Sequence, residues 1–121
     1  MNSVINIFFS PTGTTKKVGE KISSSFKDNS VKQINLTSIN EQEINLSSTD
    51  IAIIGMPVHR GCLPEIAIKQ FKRIMGDKTP CILYVIYGNR DYGSALLKLK
   101  QLVSSQGLIP IAEGTFIGDH S

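Results

Sequence analysis

The sequence contains no tryptophan and only two cysteines, Cys62 and Cys81, with neither a CxxC pair nor a histidine at ligand spacing. That excludes the usual zinc and iron–sulfur frameworks within these residues and leaves two reduced thiols as the simplest reading. No apolar stretch approaches the ~20 residues a membrane span needs. The N-terminus enters a strand pattern at once, so no signal peptide is expected and a cytoplasmic setting is. Basic residues are not gathered into a run: the 13 Lys and Arg are scattered, for a net charge of +3. A nucleic-acid domain would more often show one basic stripe with interleaved aromatics.

What is present fits one soluble domain over residues 1–121, with 40% hydrophobic and 19% charged residues and no low-complexity tract. Val4 to Phe9 is a short, near-continuous apolar run, as a buried strand requires. From Thr14 to Phe26, Val18, Ile22 and Phe26 recur every fourth position and predict a helical face. Val31 to Leu36 alternates, predicting a more exposed strand, and residues 38–49 read as an irregular connection. Ile51 to Met56 is the most apolar run and predicts the central strand. Pro64 opens a second helix whose inner face is Ile66, Ala67, Phe71, Ile74 and Met75, with Gly76 ending it. Cys81 to Tyr87 predicts a fourth strand. Ala95, Leu96, Leu99, Leu102 and Val103 mark a third helix closed by Gly107, and Leu108 to Ile117 a fifth strand.

Strands alternating with helices imply a parallel sheet with right-handed crossovers and helices on both faces. Ligands of such sheets bind beyond the carboxyl ends of the strands. Three loops there carry unusual chemistry. In the first, Ser10, Pro11, Thr12, Gly13, Thr14 and Thr15 lie between a strand and a helix. They read either as a helix cap or as an anion site built from hydroxyls, free N–H groups and the helix dipole. Neither GxxxxGK[ST] nor GxGxxG occurs there, and the acidic residues of a receiver domain are replaced by Ser10 and Met56. The second loop holds Pro57, Val58, His59, Arg60, Gly61, Cys62 and Pro64. Its histidine reads equally as a solvated side chain, and no base is paired with Cys62 for covalent chemistry. In the third, Tyr87, Gly88, Asn89, Tyr92 and Gly93 offer stacking and amide groups, although Asn-Arg-Asp between glycines is also a good turn.

Ser10-Pro11-Thr12-Gly13-Thr14-Thr15 resembles the [ST]-x-T-G-x-T phosphate loop of flavodoxins, which bind FMN. Together with "GMPVHRGCLP", "YGNRDYGSAL" and "GTFIGDHS", the match resembles the flavodoxin domain of flavodoxin–ferredoxin fusion proteins of anaerobes. The resemblance implies an α/β flavodoxin-like fold, an open parallel five-stranded sheet in the order 2-1-3-4-5 with helices on both faces. It implies that Ser10, Thr12, Gly13, Thr14 and Thr15 hold the phosphate, with Lys16 and Lys17 supplying only background field. Pro57, Val58, His59, Arg60 and Gly61, and Tyr87, Gly88, Asn89, Tyr92 and Gly93, would flank the isoalloxazine. His59 and Tyr92 stand where flavodoxins often put flanking aromatics, and the Gly61 peptide would meet flavin N5. The absence of tryptophan departs from the family's usual inner stack. The family's final helix is also missing after the fifth strand, so a fragment of a longer protein is expected, one that self-associates as this fragment, with a redox protein or iron–sulfur module as partner. The function so implied is FMN-dependent electron transfer. The alternatives are an FMN-dependent NAD(P)H or quinone reductase and a phosphate-ester-binding domain without flavin.

Overall fold

Alternating apolar and small residues become seven strands and three helices in the computed structural model, which describes residues 3–26, 30–88 and 93–118. In chain order they are β1 (Ser3–Phe8), α1 (Thr14–Ser23), β2 (Ser30–Asn35), β3 (Ile44–Asn45), β4 (Ile51–Pro57), α2 (Glu65–Phe71), β5 (Ile74–Met75), β6 (Thr79–Tyr87), α3 (Ala95–Ser105) and β7 (Leu108–Ile117). Five strands form one parallel sheet in the order β2-β1-β4-β6-β7, which is the expected 2-1-3-4-5. The apolar runs occupy its middle because a parallel strand there is covered on both faces. Val4, Ile5, Ile7 and Phe8 of β1 and Ala52, Ile53, Ile54 and Met56 of β4 are all buried.

The helices divide between the two faces. Ala67 and Phe71 of α2 and Leu99 and Val103 of α3 join Ile5, Ile54, Met56, Leu83 and Val85 in the larger core. On the opposite face Val18, Ile22 and Phe26 pack on Val4, Ile53, Tyr84 and Ile86. The repeat that predicted this helical face is thus in place, although α1 ends at Ser23 and Phe26 follows it after a turn.

Two expectations need correction. The connection 38–49 is not wholly irregular, because Ile44–Asn45 pairs in parallel with Ile74–Met75 to form a small second sheet. For the same reason Ile74 and Met75 do not extend the face of α2, which stops at Phe71; Ile74 is fully buried from a strand, Met75 is exposed, and Ile66, also expected on the inner face, is exposed too. Nearby, the ends of α2 and α3 are fastened together. The Gly76 N–H donates to the Gln106 carbonyl at 2.7 Å, and Gln106 Nε2 donates to the Lys72 and Ile74 carbonyls at 3.0 and 2.9 Å. A Cβ at Gly107 would lie only 2.5 Å from the Gly76 carbonyl oxygen, so this approach requires glycine.

β7 forms one edge of the sheet. Its register shifts beside Pro110, with Ile111 as the extra residue between the Cys81 and Ile82 pairs; an edge position and a bulge are where a strand tolerates proline. Ile109, Ile111, Phe116 and Ile117 on this strand are exposed.

Candidate functional site

Parallel pairing places the carboxyl ends of β1, β4 and β6 side by side, because these strands are consecutive neighbours in the sheet. Backbone bonds carry the alignment past the strand ends into the loops. Phe9 N–H donates to the Gly55 carbonyl at 3.2 Å and Val58 N–H to the Ile86 carbonyl at 2.7 Å. The described parts of the three loops singled out above therefore border one crevice, at the point where the chain leaves β1 for β2 on one side and later returns to β4 on the other.

In the first loop Gly13 is the N-cap of α1, with φ 90 and no side-chain cap. That left-handed conformation suits glycine and turns the chain into the helix. Ser10 Oγ accepts a hydrogen bond from the Lys16 N–H at 3.1 Å, spanning the loop and tightening it. Among the described residues no acceptor faces the N–H groups of Thr12, Thr14 and Thr15. Those of Thr14 and Thr15 are orphan donors of a helix N-terminus, where the dipole also favours negative charge. The hydroxyl of Thr12 lies 3.4 Å from that of Thr14. Thr12, Lys16 and Lys17 are exposed, Ser10, Gly13 and Thr14 are half-buried, and Thr15 is buried.

Two residues outside the sequence-based set hold this loop. Thr37, just beyond β2, accepts the Ser10 N–H on its hydroxyl at 2.7 Å. The β1–β2 pairing is the signal that could have found it, since it sets the end of the second strand beside the first loop. Tyr84, in the middle of β6, donates its hydroxyl to the Thr15 carbonyl at 2.7 Å. Its ring occupies space that glycine leaves free on β4, where a Cβ at Gly55 would fall 1.9 Å from the ring. Burial raises the Tyr84 hydroxyl pKa, so it stays a neutral donor. No local pattern announces a contact 69 residues apart.

The second loop is a tight hairpin. His59 N–H donates to the Cys62 carbonyl at 2.8 Å, and Cys62 N–H returns the bond at 2.9 Å. Arg60 and Gly61 between them have φ of 53 and 77. Positive φ at both central positions defines a type I′ turn. Pro57 is buried, Val58 and Gly61 are half-buried, and His59, Arg60 and Cys62 are exposed. The N–H of Gly61 and the carbonyl of Arg60, which form the central peptide of the turn, meet no partner among the described residues.

The third loop is described at its ends. Tyr87 and Gly88 leave β6 half-buried, and Gly93, with φ 57, precedes α3. Asn89 and Tyr92 lie outside the described residues. Gly93 backs directly on the hairpin: a Cβ there would be 3.1 Å from the Gly61 carbonyl oxygen and 3.3 Å from Gly61 Cα. The second and third loops thus meet at a glycine–glycine contact. Among the described residues no group of three or more His, Cys, Asp or Glu could hold a metal, and no helix is long and apolar enough to cross a membrane.

Similarity to known proteins agrees with this architecture. A family model described as a flavodoxin domain matches residues 5–107. The solution structure of two-electron reduced Megasphaera elsdenii flavodoxin superposes with a TM-score of 0.70 at 17% identity, covering 98% of this chain and 90% of that one. A flavodoxin from Streptococcus pneumoniae TIGR4 gives 0.70 at 13% identity, over 100% and 88% of the two chains. A flavoprotein in complex with FMN from Lactobacillus acidophilus gives 0.64 at 18% identity, over 95% and 93%. No curated protein matches the sequence significantly. With the strand order, the crevice and the family match over most of its length in agreement, the chain belongs to the flavodoxin domain family.

Proposed function

We propose that the chain is an FMN-binding electron-transfer domain. The observation that carries this reading is the N-terminus of α1, where the Thr14 and Thr15 N–H groups have no acceptor among the described residues and Gly13 bends the chain around them. A phosphate fits such a site without a fixed cation, because donors and dipole already favour it. Thr12 and Thr14 hydroxyls stand ready as further donors, and Thr37 and Tyr84 keep the loop in shape. FMN, when bound, would supply the electron-transfer chemistry. The 57–61 and 87–93 loops would hold its ring, and the Arg60–Gly61 peptide would offer one hydrogen-bonding group to the ring edge. The exposed Lys16, Lys17 and Arg60 add a favourable field for a dianion.

Titration of the purified protein with FMN and with riboflavin, followed by flavin fluorescence, tests the reading. FMN should bind clearly more tightly. Equal affinities would remove the phosphate site, and no flavin binding at all would overturn the proposal in favour of a flavin-free phosphate-ester binder. Turnover of NAD(P)H with a quinone would instead favour the reductase reading. A redox protein or iron–sulfur module is the partner in this proposal. The exposed Ile109, Ile111, Phe116 and Ile117 on the β7 edge also favour self-association. Sedimentation over rising concentration checks the latter, and a monomer throughout would count against it.

A further inference from the structure

β7 closes the sheet as a ten-residue edge, and its construction selects what can pair with it. Along a strand, successive N–H groups point to alternate sides. Gly118 N–H donates inward to the Tyr87 carbonyl at 2.8 Å, so Ile117, Thr115 and Glu113 turn their backbone groups outward. Pro110 and the bulge at Ile111 confine the regular outward row to residues 113–117. The opposite edge, β2, is guarded by Lys32. On β7 the one charged side chain, Glu113, is held by Lys100 of α3 at 2.8 Å.

We propose that the occupant of this edge is a second copy of the chain, its β7 running antiparallel to the first about a two-fold axis at Thr115. The segment is self-complementary in that register. Thr115 meets Thr115 of the second copy, a favourable cross-strand pair, and exchanges two backbone hydrogen bonds with it. Glu113 then stands opposite Ile117, and Gly114 opposite Phe116. The Phe116 ring already leans over Gly114 of its own strand, 3.4 Å from where a Cβ would lie. The two Phe116 rings therefore meet diagonally across the edge, where Gly114 leaves room. On the other face Leu97, 57% exposed, lies one turn from Lys100 on the same side of α3 and so over the same edge. Phe116, Ile117 and Leu97, all exposed in one copy, are covered together. Because the two-fold axis uses each β7 once, two five-stranded sheets join into one and growth stops there.

Sedimentation velocity at rising concentration should give a monomer–dimer equilibrium with nothing larger. Thr115→Lys sets two like charges directly opposite each other, and Thr115→Pro removes an N–H that β6 does not use. Both variants should lose the dimer and still unfold cooperatively in denaturant. Should Thr115→Pro fail to fold, Thr115→Lys decides. Oxidative cross-linking with copper phenanthroline reads the register, in a Cys62→Ser background that removes the exposed thiol. Opposed residues in such a pair have Cα atoms about 5.5 Å apart, inside the disulfide range of about 4.4–6.8 Å. Thr115→Cys should therefore cross-link, and Ile109→Cys, toward the other end of the strand, should not. A wild type that stays monomeric, assembly beyond the dimer, a dimer that survives Thr115→Lys, or equal cross-linking at both positions overturns the proposal.

Discussion

On one face of the sheet, α2 and α3 bury Phe71, Leu99 and Val103 against Ile54, Met56, Leu83 and Val85. On the other, α1 alone covers Val4, Ile53, Tyr84 and Ile86. One helix does not span five strands. A groove of about 360 Å³ remains between α1 and β2, lined by Asn6, Glu20, Ser23, Phe26, Val31 and Gln33 among others. On the β7 side Phe116 meets the Tyr84 ring edge-on at 6.1 Å and is itself 40% exposed. The difference separates two kinds of work. The two-helix face is scaffold, whereas α1 both closes a core and presents its N-terminus to the crevice. Stability and ligand binding should therefore be separable on the first face and coupled on the second where Tyr84 holds the Thr15 carbonyl.

Breaking the scaffold face should give the largest effect. Phe71 is fully buried, and Phe71→Ala should cost about 3–5 kcal/mol in denaturant unfolding. The preference for FMN over riboflavin should stay intact wherever the variant is folded; a lost preference would mean that the faces are not separable. At the other extreme, Thr14→Ala acts on the mouth of α1. It should weaken FMN by about 1.5–3 kcal/mol, the range for a hydrogen bond to a charged group, and leave riboflavin binding and unfolding nearly unchanged.

Alkaline pH sharpens the comparison, because each face holds one acidic group with a raised pKa. Burial pushes the Cys81 thiol up to about 12 from 9.0. Below pH 9 the thiol is protonated in both folded and unfolded chains and its contribution to stability is complete. Between pH 9 and 12 the unfolded chain releases the proton first, so stability falls as pH rises. At pH 10 the loss from this group should reach about 1.4 kcal/mol in pH-dependent denaturant unfolding, and Cys81→Ala should abolish that slope. Tyr84, also raised by burial, adds a fall of the same sign at higher pH. The smallest effect tests the coupling itself. Tyr84→Phe deletes the bond to the Thr15 carbonyl and should cost about 0.5–1.5 kcal/mol of stability. Because that bond anchors the first turn of α1, FMN should weaken more than riboflavin. Equal losses would place the anion loop beyond Tyr84's influence.

The five main strands and the three loops beyond their carboxyl ends were legible in the sequence, because each follows from a local apolar run, a helical repeat or a cluster of turn residues; the strand order came from the flavodoxin resemblance. The second sheet was not. Ile44 and Ile74 pair across 30 positions, and neither two-residue strand has a period of its own, so Ile74 and Met75 looked like a continuation of α2. In the crevice, residue types were readable but their bonds were not. Ser10 is expected to donate its hydroxyl to a phosphate, and the Lys16 N–H that its Oγ also accepts had no signal in the sequence. The supports supplied by Thr37 and Tyr84 come from other strands and have no local signature. The hairpin conformation of Arg60 was likewise hidden, because nothing about an arginine announces positive φ.

The glycine contact between Gly76 and Gly107 acts as a fulcrum. It lies at the amino end of the sheet, opposite the crevice, and fixes the far ends of α2 and α3 to each other. α2 and α3 extend from there by roughly 10 and 16 Å at 1.5 Å per residue, toward loops that touch through Gly61 and Gly93. Tilting of either helix about this pinned end translates into its greatest displacement at the crevice mouth, as at the tip of a lever. A methyl group added at Gly107 would fall on the Gly76 carbonyl oxygen and should free the two helix ends from each other, which denaturant unfolding would register as lost stability.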